Sequence, residues 1–230
     1  MAVLVIAQAR MGSSRLPGKV MLKLNGIPVI HHILKRLLAM READAVCIAT
    51  SKNSIDDIIE EQGEKFGVPI VRGSENDVLS RFAVAAEKYR AETIVRVTCD
   101  CPLIDPSLCD QLVRKYKALK CDYASIGVEQ GWPQGLDCEV FSADLLRRAN
   151  NSASYSEDRE HVTPWIIRNS KHSTSILAPM KVKTKWVLDY EEDYIFLNEI
   201  FQKHAFQNYD WLEVLDFLNF HKELVHKLED

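Results

Sequence analysis

The stretch richest in chemistry is residues 7–20, AQARMGSSRLPGKV, which holds two glycines, two serines, Arg10, Arg15 and Lys19. Glycines and serines let backbone N–H groups approach a ligand, and three cations in one loop favour an anion, so these types point to phosphate binding. Arg10 offers a planar fork and Lys19 a point charge, a pair suited to the β- and γ-phosphates of a triphosphate, with Gly12 and Ser13 bringing the backbone close. The loop is not an ATPase-type P-loop. Five residues separate Gly12 from Gly18 where that motif has four, and Val20 stands where a Ser or Thr would hold magnesium. Two aspartates match the needs of a triphosphate. Asp100 follows the run TIVRVT and Asp189 follows WVL, and magnesium commonly takes one or two carboxylates beside phosphate oxygens. Each has a plainer reading. Asp100 also suits a turn or cap, and Asp189, ahead of Glu191, Glu192 and Asp193, also suits the charge bias of a helix N-terminus.

Further along, Gln134, Asp137 and Glu139 alternate with apolar residues in a turn-rich loop. They suit the hydroxyls of a polyol, or simply water. Arg159-Glu160-His161 is a compact polar run in which His161 reads as a base, a sugar contact or, most simply, a histidine satisfied within a helix. His31 and His32 fall in a helical pattern, half core and half surface. The six cysteines give neither a zinc-ligand spacing nor a neighbouring base to activate a nucleophile, and no disulfide framework is expected of them.

These residues need elements to hold them. An apolar run at 2–6 reads as a strand feeding the opening loop. Helical spacing follows at 28–41, with Pro28 suited to a first turn. A strand is expected at 44–50, then a helix at 54–66 with Ser54 as N-cap, Asp56 and Asp57 in its first turn and Gly67 closing it. A strand at 69–72, a helix at 77–90, a strand at 93–98, a helix at 106–120 and a strand at 121–127 complete the alternation. Such a pattern builds a parallel sheet with right-handed helical crossovers, and ligands then bind beyond the C-terminal strand ends. Beyond residue 128 the alternation breaks. A strand at 138–141, short helices at 143–149 and 160–168, a strand at 183–188 and two helices at 193–204 and 210–228 elaborate the sheet. The last two helices are apolar over a wide arc and read as core rather than interface.

The chain of 230 residues reads as one domain, with no linker, repeat or membrane-spanning run. No signal peptide precedes the first strand, so the expectation is cytoplasmic. A net charge of −4 speaks against a nucleic-acid binder, and no membrane partner is expected. The charge is unevenly placed: residues 1–41 carry seven cations and no acid, whereas residues 187–230 carry eleven acids and three lysines. A basic head in an acidic chain fits a local anion site.

The opening loop resembles the signature of the cytidylyltransferase family, which includes the enzymes that make CMP-Kdo and CMP-sialic acids, and is most similar to its spore-coat polysaccharide (SpsF-type) branch. RGSENDVLSR at 72–81, RVTCDCPLID at 96–105, GLDCEVF at 135–141, REHVTP at 159–164 and VLDY at 187–190 carry the resemblance along nearly the whole chain. It implies a Rossmann-like nucleotidyltransferase fold with a mostly parallel central sheet, helices on both faces and a C-terminal helical extension. It implies transfer of CMP from CTP to an acidic sugar or related polysaccharide precursor, release of pyrophosphate, a need for Mg2+, and a homodimer. By that likeness Arg10, Lys19 and Asp100 are catalytic, and Asp100 and Asp189 hold the metal. Ala9, Gly12, Ser13, Arg15, Arg72, Ser74, Asp77 and Arg81 would border the nucleotide. Gln134, Asp137, Glu139, Arg159, Glu160 and His161 would face the acceptor. Arg15-Leu16-Pro17 replaces the Gly-Leu-Pro typical of the sialic-acid enzymes, and the 134–161 region differs from the Kdo enzymes, so the acceptor is left open. Two other readings of the residues are a nucleotide-sugar-dependent glycosyltransferase of related fold and a non-catalytic nucleotide-binding protein. The first has less need of three cations in one loop, and retention of both aspartates speaks against the second.

Overall fold

The computed structural model describes residues 2–203 and 209–221. The elements in chain order are β1 (Val3–Gln8), β2 (Lys23–Leu24), β3 (Ile27–Pro28), α1 (Val29–Leu37), β4 (Ala45–Ser51), α2 (Asp57–Lys65), β5 (Ile70–Gly73), α3 (Val78–Lys88) and β6 (Thr93–Thr98). There follow α4 (Pro106–Leu119), β7 (Tyr123–Ile126), β8 (Cys138–Ser142), α5 (Ala143–Ser152), α6 (Ser156–His161), α7 (Pro164–Asn169), β9 (Ser173–Ser175), α8 (Glu191–Lys203) and α9 (Trp211–Phe220). β2 and β3 form a separate two-stranded hairpin, and the other seven strands form one sheet in the order β5-β4-β1-β6-β8-β7-β9. β1 lies at its centre, parallel to β4 and β6, and β5 and β9 are also parallel to their neighbours. Residues alternate across it. Val3, Val5 and Ala7 pack with α1, α4, α8 and α9, and Leu4 and Ile6 pack with α3, α5 and α7. Helices therefore cover both faces, and the strand run at 2–6 is apolar throughout because neither face meets water.

The sheet is mostly parallel, as expected; β8 alone is reversed, entering between β6 and β7 antiparallel to both. Two expectations are corrected. Residues 183–188 are not a strand. Their one ladder contact is an isolated bridge between Lys185 and Gln134. The stretch 160–168 is two short helices broken at Val162, a buried β-branched residue at φ 69°. That backbone costs about 1–3 kcal/mol and survives only where the surroundings over-determine it.

The C-terminal helices are core, as expected: Phe196, Leu197, Ile200, Phe201, Trp211, Val214 and Leu218 are buried. His204 and the expected helical residues 222–228 lie outside the described residues. Asp105 ties this extension to the sheet. One of its oxygens accepts from Ser107 N and Leu108 N at the start of α4, and the other accepts from Trp211 N at 2.9 Å at the start of α9. It is 1% exposed. Asp105→Ala removes a cap and orphans a buried N–H, so chemical denaturation should show a loss of about 2–3 kcal/mol.

Candidate active site

The opening loop leaves β1 at Gln8 and is fastened from behind. Met11 N donates to Asp56 Oδ1 at 2.7 Å, while the other oxygen of Asp56 takes the Ser51 hydroxyl at the end of β4. Asp56 is 1% exposed. From the first turn of this helix start, where it was expected, it anchors the loop. Ser54 does not act as an N-cap, since no side chain caps this helix start. Gly18 N donates to Met11 O, closing the loop on itself, and Gly18 takes φ 72°, a conformation glycine adopts freely. Lys19 follows and turns inward.

Asp100 comes from the end of β6, where Cys99 N donates to Gln8 O. Asp189 arrives from 170 residues beyond Lys19 by a pinned path. Trp186 N donates to Gln134 O, Leu188 N donates to Asp100 O at 2.8 Å, and Asp189 N donates to the Asp193 carboxylate. Gly135, at φ 110°, lets Trp186 pass, since a Cβ there would sit 2.7 Å from the Trp186 carbonyl carbon. The two aspartates meet at one point: Lys19 Nζ donates to Asp100 Oδ2 at 2.7 Å and to Asp189 Oδ1 at 3.0 Å. Burial alone would lower the Lys19 pKa, but the two carboxylates outweigh it and raise it. Burial alone would raise Asp100; Lys19, the Thr98 hydroxyl and the Cys101 thiol hold it below its ordinary value instead. Arg15 donates to Asp189 at 2.9 Å and lies over the Tyr190 ring. Arg10 pairs with Glu160 at 3.4 Å, which joins the opening loop to α6.

Above these groups lies a cavity of about 160 Å³ lined by Gln8, Ala9, Arg10, Ser13, Arg15, Lys19 and Asp100 among others. It sits at the C-terminal ends of β1 and β6, where open α/β sheets bind ligands. Thr98 also lines a second cavity of about 480 Å³, with Arg96, Tyr123, Gln130, Asp137, Glu139 and His161. Here Glu139 accepts from Arg96 and from the Tyr123 hydroxyl, and burial, with Glu139 and Asp100 nearby, raises the Asp137 carboxyl. A wider groove of about 740 Å³ between α3 and α5 opens near the N-terminal end of β6, away from every cation of the opening loop.

The expected residues divide accordingly. Ala9, Arg10, Ser13, Arg15, Lys19 and Asp100 surround the first cavity, and Asp137, Glu139 and His161 the second. His161 is exposed at the end of α6 rather than satisfied within it. Gly12 lies in the same loop, against Glu75. Gln134 is exposed and contributes backbone, while Arg159 is held by Asn150, the Ala153 carbonyl and Asp77. Arg72 is taken up by Asp57, Glu60 and two carbonyls. Ser74 and Asp77 shape the turn into α3, where Asp77 caps the helix. Arg96, Tyr123 and Gln130 were not expected in the site. The polar Arg96 inside the apolar run 93–98 was the available signal.

The donor set fits a hard divalent cation. Two carboxylate oxygens converge on one ammonium, so the place is already built for positive charge, and oxygen donors suit Mg2+. Among the described residues no group of three or more His, Cys, Asp or Glu side chains forms a metal cage. The described cysteines are free and mostly buried, and burial drives the Cys99 and Cys101 thiols upward, away from nucleophilic use. No helix among the described residues is long and apolar enough to cross a membrane.

Comparisons agree with this geometry. A cytidylyltransferase family profile matches residues 4–223. The chain is 33% identical over 211 residues to the spore coat polysaccharide biosynthesis protein SpsF of Bacillus subtilis, covering 87% of each. It is 34% identical over 131 residues to a 3-deoxy-manno-octulosonate cytidylyltransferase of Mesorhizobium japonicum, covering 56% of this chain and 54% of that one. A cytidylyltransferase structure from Leptospira borgpetersenii superposes with a TM-score of 0.89 at 28% identity, over 97% of this chain and 95% of that chain. With the Rossmann-like fold, the phosphate-type loop and these likenesses together, the chain belongs to the cytidylyltransferase family and is a CTP-dependent nucleotidyltransferase.

Proposed function

We propose that this protein transfers CMP from CTP to a hydroxyl of an acidic sugar or related polysaccharide precursor, with release of pyrophosphate. The observation that supports it best is the convergence of Lys19, Asp100 and Asp189 beside Arg10 and Arg15, next to a second polar cavity of sugar size. The acceptor oxygen attacks the α-phosphorus in line, the bond to the bridging oxygen breaks, and pyrophosphate leaves. The protein's part is positioning and charge. Arg10 and Lys19 stabilise charge on the leaving group, with backbone N–H groups of Gly12 and Ser13 beside them. Arg15 and the Arg72–Arg81 segment border the nucleoside. Asp100 and Asp189 would hold Mg2+, which when bound neutralises phosphate oxygens and eases loss of the attacking proton. Asp137, Glu139 and His161 orient acceptor hydroxyls. The sugar class is supported by the names of the two relatives above.

The test is pyrophosphate release, measured with each of the four common NTPs, Mg2+ and a panel of 3-deoxy-2-ulosonic and nonulosonic acids. Release with CTP and one or more acidic sugars is expected. Equal release with every NTP, or CTP binding without release under every acceptor, overturns the reading.

A further inference from the structure

The corner between α6 and α7 holds two neighbouring residues against their preferences. Val162 stands at φ 69° and ψ −53°, and Thr163 N donates across it to His161 O at 2.8 Å. This is a three-residue γ-turn of the rare, strained hand. Thr163, at φ −94° and ψ −15°, lies in the helical region directly before Pro164, a place the proline ring disfavours. A single helix running through the corner would avoid both. It would also separate His161 from Thr163, because residues two apart on an α-helix point about 200° apart and only one of them can face a given wall. Here both line the second cavity, with Ile167 of α7.

A strained turn needs something to hold it. Asp158 of α6 is 1% exposed, and both of its oxygens accept from Arg168 Nη2 of α7, each at 2.7 Å. This ion pair spans the turn. Val162 N donates to the Asp158 carbonyl at 3.1 Å, and the Val162 side chain is sealed among the residues of the α3 layer. On the other side, Arg159 ties α6 to Asn150 of α5 and to Asp77 at the start of α3. A sealed carboxylate gains little net stability from its partner, since apolar residues of similar volume often do as well. Its directional bonds fix geometry instead, and the geometry they span is the turn.

We propose that Asp158 and Arg168 are positioning residues for the acceptor: their ion pair holds the strained turn at Val162, and the turn sets His161 and Thr163 side by side on the wall of the acceptor cavity. This rests on the acceptor reading of that cavity given above. Neither member of the pair lines that cavity or the one at the opening loop, so the pair acts through His161 and Thr163 and leaves the nucleotide half alone.

Steady-state pyrophosphate release tests this, with Mg2+, graded CTP and graded amounts of whichever acid of the panel above the wild type uses fastest. Asp158→Asn should raise the KM for that acid about tenfold, the worth of one or two hydrogen bonds. Its kcat and its KM for CTP should stay within about threefold of the wild type, the pattern of lost binding rather than lost chemistry. Arg168→Lys should stay within about threefold throughout, because both bonds come from one nitrogen that an ammonium can replace. Asp158→Leu combined with Arg168→Met keeps the test open if the single variant does not fold. It buries no unpaired charge, so it should melt near the wild type and still show the raised KM for the acid. A pair that only stabilises the fold would lower the melting temperature and leave that KM unchanged. An unchanged KM for the acid in the folded variants, or a KM for CTP that rises by as much, overturns this inference alone. A wild type that releases no pyrophosphate with any acid overturns it and the acceptor reading together.

Discussion

Lys19→Met should lose both turnover and stability, and added Mg2+ should restore only the second. In the wild type one ammonium neutralises two carboxylates at 2.7 and 3.0 Å, with side-chain exposures of 11% for Lys19, 20% for Asp100 and 9% for Asp189. Methionine fills the volume but leaves two like charges together, partly sealed from water. Removing one partner of a buried pair typically costs about 3–5 kcal/mol; the partial exposure of Asp100 and the exposed Arg15 beside Asp189 place this case near 3 kcal/mol. Millimolar Mg2+ without nucleotide should raise the melting temperature of Lys19→Met more than that of the wild type, because the cation site is vacated. Turnover should stay down by about 10²–10³, the typical value of one group stabilising transition-state charge. Equal response of both proteins to Mg2+ would show that the aspartates do not hold it.

Asp100→Asn should separate the same two effects in the opposite sense. Turnover should again fall by about 10²–10³, but stability should fall by only about 1 kcal/mol, since Lys19 keeps Asp189 and the amide can still accept from Thr98. The variant should also change the acid limb. The Asp100 carboxyl is held below its ordinary value, so its contribution to stability is complete above the unfolded carboxylate pKa near 4 and is lost as pH falls through the depressed folded value. Denaturation midpoints measured from pH 7 to 2 should therefore fall less steeply below pH 4 in Asp100→Asn. Normal pyrophosphate release by the folded variant would sink the assignment of Asp100 to the reaction.

The parallel half of the sheet is legible in the sequence because β1, β4 and β6 are apolar runs between helical periods, and burial on both faces leaves no other reading for 2–6. The insertion of β8 is not legible. Its residues 138–142 read as a strand, but which edge a strand joins is decided by long-range pairing that local pattern does not encode. The stretch 183–188 shows the same limit in reverse. It ends in the apolar run Trp186-Val187-Leu188, yet its hydrogen bonds go to Gln134 and Asp100 at separate points. In the site, the opening loop and Asp100 follow strand ends that the sequence shows; Asp189 stands out by residue type, but the strand expected before it is not there. The anchoring role of Asp56 was not legible, because a carboxylate fastening a loop and one beginning a helix look alike in sequence. Arg96 carries a signal that is easily passed over: it is a charge at a position whose period assigns it to the interior.

The ammonium between Asp100 and Asp189 also bears on the order of events. Two bare carboxylates would hold any divalent ion that diffused in, whether or not a nucleotide was there. Here the loop's own Lys19 fills that place, so on the proposed function metal entry would be linked to something that draws the lysine off, as a polyphosphate would. Metal and nucleotide would then each raise the affinity for the other by the same factor. Without ligands Lys19 is paired with both aspartates, so on the proposed function the loop that would recognise the phosphates is also the one that would guard the metal site.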